Sequence, residues 1–205
     1  MSISKIVLLA SPIDAPVLAD VLRRHNSHLT VTPVATLDDL HAAFTHLPPI
    51  TRLVSFCSSV IVPAKLLSAL SGPAYNFHPG PPERPGRYPA VFALYDRAER
   101  FGITVHEMEP PVDSGPIVTA EWFMIPEGAD LVTLEGLTFS RLFDAFQRLA
   151  PYLVNVARPL PRLMYRWNGR KTRKAECDEL CQITPGLDDA EIARRKSACG
   201  AFLRT

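Results

Sequence analysis

Residues 5–10, Lys5-Ile6-Val7-Leu8-Leu9-Ala10, form an unbroken apolar run, the pattern of a strand buried on both faces of a parallel sheet. The residues after it supply a crossover. Asp14 stands where a helix N-cap belongs and Pro16 just inside the first turn, with Val17, Leu18, Val21 and Leu22 at one-face spacing. The alternation then repeats. Leu29 to Ala35 reads as a second strand, Leu37 to Phe44 as a short helix and Arg52 to Phe56 as a third strand. Pro63 opens another helix carrying Leu66, Leu67 and Leu70, with Gly72 as its terminating residue. Strands alternating with helices at these intervals predict an α/β fold, a mostly parallel sheet flanked by helices.

Further along, the pattern changes. Residues 73–89 contain six prolines and read as a loop beyond a strand end. Pro89 to Arg100 reads as a helix with Val91, Leu94 and Tyr95 on one side, and Ile103 to Met108 as a strand. A Pro-rich turn over 109–116 joins it to a strand over Ile117 to Ile125, an antiparallel pairing by the tightness of the turn. From Asp130 to about Val156, Leu131, Leu134, Leu142, Phe146, Leu149 and Leu153 mark a long amphipathic helix. Gly136 weakens it by up to about 1 kcal/mol, and Pro151 is a candidate kink. A basic stretch follows, Arg158 to Lys174, read as a solvated face or a subunit contact, and then a last helix over Asp188 to Ala201.

Composition removes several classes. The chain has 205 residues, 47% hydrophobic and 21% charged, with a net charge of +1, which disfavours disorder and a dedicated nucleic-acid partner. Twenty prolines against ten glycines imply stiff loops. No apolar run nears the ~20 residues a bilayer span needs. The N-terminal run is cut by Pro12, Asp14 and Pro16 and reads as a strand, not a signal peptide. Cys57, Cys177, Cys181 and Cys199 are too scattered for a disulfide framework. No ligand set for zinc accompanies them, so reduced thiols, a cytoplasmic location and no bound metal are expected.

The chemistry concentrates at Tyr75-Asn76-Phe77-His78-Pro79-Gly80. As the tip of a parallel strand, this is where open α/β sheets put their ligands. Alternation aims Asn76 and His78 at one face, where a carboxamide and an imidazole either polarise and protonate a carbonyl oxygen or simply bond loop backbone. Asp113 lies 37 residues beyond Asn76, in an Asp-Ser-Gly turn. If its strand neighbours the one ending at His78, the carboxylate reaches the imidazole; otherwise it makes a local Asx turn. His106 shares a strand face with Thr104 and Met108 and reads as mainly structural.

Taken together, NFHPGPPERPGRYP (76–89) and FGITVHEMEPPVDSGPIV (101–118) resemble the 10-formyltetrahydrofolate-dependent formyltransferases. That family acts on glycinamide ribonucleotide, methionyl-tRNA or sugar amines and includes formyltetrahydrofolate hydrolases. The resemblance covers residues 50–120 well and the first strands by pattern only. It implies a Rossmann-like formyltransferase fold, with a catalytic domain over 1–157 and a basic C-terminal extension over 158–205. It also implies formyl transfer from 10-formyltetrahydrofolate, as co-substrate, to a primary amine. By carry-over, Asn76 donates to the oxyanion, His78 stabilises it and shuttles a proton, and Asp113 sets the charge on His78 and positions a water. The folate would contact backbone at Phe56, Cys57, Ser58, Val60, Val62, Val112 and Ser114.

The turn Ala10-Ser11-Pro12-Ile13-Asp14 has no glycine and carries an acid, which disfavours a phosphate there and with it purine synthesis. Length disfavours transfer to methionyl-tRNA. The Pro-rich loop is nearer to the sugar-amine members, so an amino sugar, nucleotide-linked, is the leading acceptor. A hydrolase and a non-catalytic folate-binding or interaction module remain the alternatives. The basic stretch or the long helix could supply a homodimer contact.

Overall fold

The structure, a computed structural model, describes residues 3–48 and 50–204. Six strands form one sheet: β1 (Lys5–Leu9), β2 (Thr30–Val34), β3 (Thr51–Phe56), β4 (Tyr75–His78), β5 (Arg100–Glu107) and β6 (Ile117–Met124). Their order is β2-β1-β3-β4-β5-β6. The first four run parallel, while β5 pairs antiparallel with β4 and β6 antiparallel with β5. The fold is therefore α/β, with a mostly parallel sheet between helices.

Strand alternation sorts the core into two faces. Ile6 and Leu8, Val54 and Phe56, Tyr75 and Phe77, and Ile103 and Val105 pack on one face against α1 (Ala15–His25) and α5 (Leu131–Asn155), through Leu18, Leu22, Leu142, Phe146 and Val154. Val7, Leu9 and Leu53 face the other side, covered by Leu40 of α2 (Leu37–Phe44) and Leu66 of α3 (Ala64–Ser68). Beyond α3, the polar side chains of β4 and β5 occupy this second face. Asn76, His78, Thr104 and His106 look out there, and Asn76 and His78 lie in register with His106 and Thr104. That end of the second face is what the site occupies.

Several local expectations change. Val17 is 54% exposed, because Ala15 and Ala19 join Leu18, Val21 and Leu22 on the buried stripe of α1 instead. Asp14 is the N-cap of α1 by position, but its side chain makes no capping bond; it accepts from the Ser11 hydroxyl at 2.7 Å. Helix α3 closes at Ser68, so Gly72 lies beyond it and does not cap it. The helix after the Pro-rich loop, α4 (Pro89–Tyr95), stops well before Arg100, since Arg97 takes a left-handed φ of 54° and β5 begins at Arg100. Pro151 lies inside α5 without ending it.

The cysteines overturn the reading of four reduced thiols. Helix α7 (Asp189–Cys199), followed by the 3₁₀ turn Gly200–Phe202, packs against α4, and helix α6 (Lys174–Leu180) joins the same apolar cluster through Cys177. Cys181 and Cys199 are joined as a disulfide, with Cys177 Sγ 3.9 Å from Cys181 Sγ. An excursion of 18 residues brings the pair together, which spacing alone does not reveal.

Arg52 is the largest fully buried side chain among the described residues, 2% exposed. Its guanidinium donates to Leu153 O at 2.7 Å and Val156 O at 3.0 Å, with longer bonds to Tyr152 O and Ala157 O. The cation thus stands at the carbonyl end of α5, where the helix leaves acceptors unpaired and the dipole is negative. Burial lowers its pKa from the usual guanidinium value, against a rise from nearby Tyr75. Arg52→Met strands these carbonyls, at about 1–3 kcal/mol for a buried group left unpaired. The expected result is a lower urea midpoint with an unchanged slope; an unchanged midpoint would show that α5 does not need the cap.

Candidate active site

The strand tip of β4 and the loops around it enclose a cleft of about 700 Å³. Asn76, His78, His106 and Asp113 line it together. Asp113 comes from the loop after β5, in a left-handed conformation at φ 47°. That twist turns its carboxylate back under the sheet end, and the side chain is almost fully buried. One oxygen, Oδ2, accepts from the Gly86 N–H at 2.7 Å and lies 3.6 Å from His78 Nδ1. The other, Oδ1, lies 3.3 Å from His106 Nε2. A single carboxylate therefore stands between two buried imidazoles.

The protons follow from the partners. His78 Nε2 lies 3.0 Å from Arg84 O, a carbonyl that can only accept, so this nitrogen donates. In the neutral ring Nδ1 then presents a lone pair towards Asp113, which agrees with a separation too long for a hydrogen bond. Burial is the main cause that lowers the His78 pKa, with Asp113 and the Arg84 carbonyl opposing it. Burial likewise works to raise Asp113, but His78, His106 and the Gly86 N–H override it and hold the carboxyl below the usual carboxylate range. The Gly86 bond supports the carboxylate whichever form His78 takes, so Asp113 is the ionised member and His78 the neutral one.

His106 contacts both Asn76 and Asp113. Its Nδ1 lies 2.7 Å from Glu107 O and donates there. Its Nε2 lies 3.2 Å from Asn76 Nδ2 and 3.3 Å from Asp113 Oδ1; it accepts from the carboxamide when unprotonated and donates to the carboxylate when protonated. The Asn76 bond orients the carboxamide with its NH2 group beside the imidazoles and leaves the second N–H of that group for another acceptor. Trp167, which no sequence motif singles out, stands edge-on to both rings, 5.0 Å from His106 and 5.5 Å from His78 by centroids. Its Nε1 donates to Gly115 O at 3.0 Å, so the C-terminal segment closes the back of the site. No local signal in WNGRK marks that contact, because it is made 52 residues away in sequence.

Two glycines are required by close approach. A Cβ on Gly80 would lie 2.7 Å from His78 Nε2 and 2.9 Å from Pro89 Cβ. Gly86 adopts φ +98°, and a Cβ there would meet the Thr172 carbonyl oxygen at 2.3 Å.

The residues expected to meet a folate divide. Cys57, Ser58, Val60, Val62 and Val112 line the cleft. Phe56 points its ring into the core beside Phe77 and Phe146, and Ser114 turns its hydroxyl to Pro111 O, so neither side chain does. Val62 is also buried against Leu66 and Leu53. Cys57 is exposed at the cleft with φ 49°; neighbouring protein atoms, with Asp14 and Glu135 adding to them, push the thiol up to about 12. Among the described residues no group of three or more His, Cys, Asp or Glu is arranged to hold a metal ion. Nor is any helix among them long and apolar enough to cross a membrane.

The basic stretch is not uniformly solvated. Arg162 clamps the buried Glu107 with two bonds, at 3.0 and 2.8 Å, whereas Lys171, Arg173 and Lys174 line the cleft.

Both buried groups couple stability to pH with the same sign. Asp113 has a folded pKa below its unfolded value, so its contribution is present above the unfolded pKa and is lost as pH falls through the folded one. His78, also lowered, is held neutral, so acid below the ordinary imidazole range favours the unfolded chain. Stability is expected to fall progressively from the ordinary imidazole range into acid, and His78→Gln should flatten the upper part of that fall. Equal curves for both proteins by thermal unfolding would contradict a neutral buried His78.

No family model matches the chain. By sequence it is similar to a dTDP-4-amino-4,6-dideoxyglucose formyltransferase of Mycobacterium tuberculosis, 32% identical over 98 residues, which are 47% of this chain and 39% of the relative. The match thus spans about two fifths of the relative's length. In structure it is similar to a sugar N-formyltransferase of a Shewanella species, with TM-score 0.76, 16% identity and coverage of 94% of this chain and 86% of that one. It is also similar to a formyltransferase of Anoxybacillus kamchatkensis solved with UDP-4,6-dideoxy-4-formamido-L-AltNAc and tetrahydrofolate, with TM-score 0.71, 19% identity and coverage of 96% and 100%. At these identities the structural likeness shows the fold, which is that of the formyltransferases.

Proposed function

We propose that this chain, similar in sequence and fold to sugar N-formyltransferases, transfers a formyl group from 10-formyltetrahydrofolate to the amine of a nucleotide-linked amino sugar. The observation that carries the reading is the Asn76–His106–Asp113–His78 cluster, buried at a strand tip and open to a cleft large enough for a donor and an acceptor.

The acceptor amine attacks the formyl carbon, forming a C–N bond and moving the carbonyl electron pair to oxygen. The second N–H of Asn76 is the donor for that oxyanion, oriented by His106. Such a donor, fixed before the charge develops, stabilises it without reorganisation. Collapse re-forms the carbonyl and breaks the bond to N10. N10 gains a proton and the attacking nitrogen loses one, so one proton must pass between them. Asp113, ionised and facing both imidazoles, is placed to orient a water that relays it. Its charge also stabilises an imidazolium on His78 should the ring take up a proton during turnover.

The test is tetrahydrofolate release from 10-formyltetrahydrofolate with a panel of nucleotide-linked amino sugars, free amino sugars and a no-amine control. Amine-dependent release supports the transferase. Equal release without amine would make the chain a hydrolase, and folate binding without release in any arm would make it a binding module.

A further inference from the structure

Trp167 takes no part in the formyl-transfer steps, yet it touches both imidazoles and the turn behind Asp113. Its ring lies 5.5 Å from the His78 ring at 72° and 5.0 Å from the His106 ring at 88°. Its Nε1 donates to Gly115 O, in the turn that carries Asp113. The chain that follows is threaded along the Pro-rich loop. Asn168 N donates to Pro82 O at 3.3 Å, Thr172 N to Pro85 O at 3.1 Å, and Arg87 N to Thr172 O at 3.0 Å. Gly169 is needed there, since a Cβ would lie 1.6 Å from Glu83 O. That same loop holds the Arg84 carbonyl that accepts from His78 and the Gly86 N–H that bonds Asp113.

One hydrogen bond does not fix an imidazole. The Arg84 carbonyl holds Nε2 of His78 and the Glu107 carbonyl holds Nδ1 of His106, but a bond at one nitrogen leaves the ring free to tilt about it. The χ2 torsion of a histidine is soft, and an edge-to-face ring contact from the side removes that freedom. Trp167 gives one such contact to each ring. A single indole thus sets both planes, and with them the directions in which the nitrogens nearest Asp113 face it. The indole does not line the cleft that Asn76, His78, His106 and Asp113 share. Half-buried itself, it backs the rings on the side away from the cleft, in space that water would otherwise take. The two histidines are left 4% and 3% exposed.

We propose that Trp167 is a positioning residue of this site: its indole fixes the planes of His78 and His106 and keeps water from their outer side, so that the carboxylate and imidazoles exchange protons only with what the cleft binds. The inference rests on the formyl-transfer reading for the step it serves. Water behind the rings would be a competing proton source, and a tilted His106 would no longer aim the Asn76 N–H. The titratable groups facing His78 are Asp113 from the β5–β6 loop and His106 from β5. Arg84 offers its carbonyl, while its guanidinium pairs with Asp96. Trp167 brings no charge, so any change it makes in His78 comes through packing and water. Burial is the main cause that holds the His78 pKa down, so opening the back of the site should raise it.

The experiment compares the full chain with Trp167→Ala, which removes ring and bond, and Trp167→Phe, which keeps a ring and removes only the bond to Gly115. Protonation of His78 is read from its imidazole NMR signals near the ordinary imidazole pKa. Turnover is read as tetrahydrofolate release from 10-formyltetrahydrofolate with an amino sugar that the wild type accepts. In Trp167→Ala, His78 should be partly protonated where the wild type is neutral. Its kcat should fall on the order of 10²-fold with little change in KM, the size of a small misplacement of reacting groups. Trp167→Phe should stay near wild type in both. An unchanged His78 in a folded Trp167→Ala overturns the proposal. So does Trp167→Phe losing as much as Trp167→Ala, which would reduce Trp167 to an anchor for the Gly115 turn. Should Trp167→Ala fail to unfold cooperatively on heating, Trp167→Leu takes its place with the same expectations. A shifted His78 in a chain that releases no tetrahydrofolate with any amine would leave this role standing and defeat the formyl-transfer reading instead.

Discussion

Asp113→Asn is expected to lower kcat by about 10²–10⁴-fold, the range that a positioned acid or base contributes. The substitution removes the charge and little else. Asparagine tolerates the left-handed φ of 47° at this position, and its amide oxygen can still accept from the Gly86 N–H. The loop should therefore keep its path and tetrahydrofolate its affinity, so that the loss appears in kcat. A pH signature separates a chemical role from a structural one. Asp113 raises the pKa of His78 against the burial that lowers it. Without the carboxylate the His78 pKa falls further, so any acid limb of the residual activity that reports His78 moves to lower pH. Wild-type turnover by this variant, or a profile that does not move, would remove Asp113 from the proton path.

Asn76→Ala is expected to cost about 10²–10³-fold in kcat, the usual penalty for deleting one oxyanion donor. Its KM for the folate should change little, because the lost bond forms only as charge develops on the formyl oxygen. His106→Leu should reproduce part of this loss while leaving Asn76 in place. Without the acceptor at Nε2, nothing fixes which end of the carboxamide faces the reacting oxygen. The two losses should not add, since both act through the same N–H. Additive losses in the double variant would show that His106 works by another route. Near-wild-type formyl transfer by Asn76→Ala would sink the assignment of the oxyanion donor.

Much of this arrangement is legible in the amino-acid sequence. The apolar runs at Lys5–Ala10 and Arg52–Phe56 mark buried strands, and these pair in the sheet as β1 and β3. The antiparallel hairpin of β5 and β6 follows from the tight turn holding Asp113. Alternation is enough to aim Asn76 and His78 at one face, since the side-chain period of a strand is a local property. Strand pairing then brings together groups that the motifs already single out.

What is not legible depends on contacts between distant segments. His106 is visible in its strand, but its value depends on lying in register with Asn76, a pairing between strands. Arg52 looks in sequence like a misplaced charge in a strand; only the end of α5, a hundred residues on, explains it. Cys181 and Cys199 meet through a turn of the C-terminal helices. The stretch from Arg158 to Lys174 reads as plain basic surface, yet it wraps the sheet end, seals the site with Trp167 and presents Lys171 and Arg173 to the cleft.

Periodicity, turn chemistry and motif spacing are short-range, so the order of residues alone specifies the secondary elements, the parallel character of the sheet and the chemical types at the strand tip. Folding settles which imidazole orients which amide, where the carboxylate stands between them, and which distant side chains line the cleft. Those depend on distances between segments far apart along the chain, and charge and hydrogen bonding act over a few ångströms of space whatever that separation is.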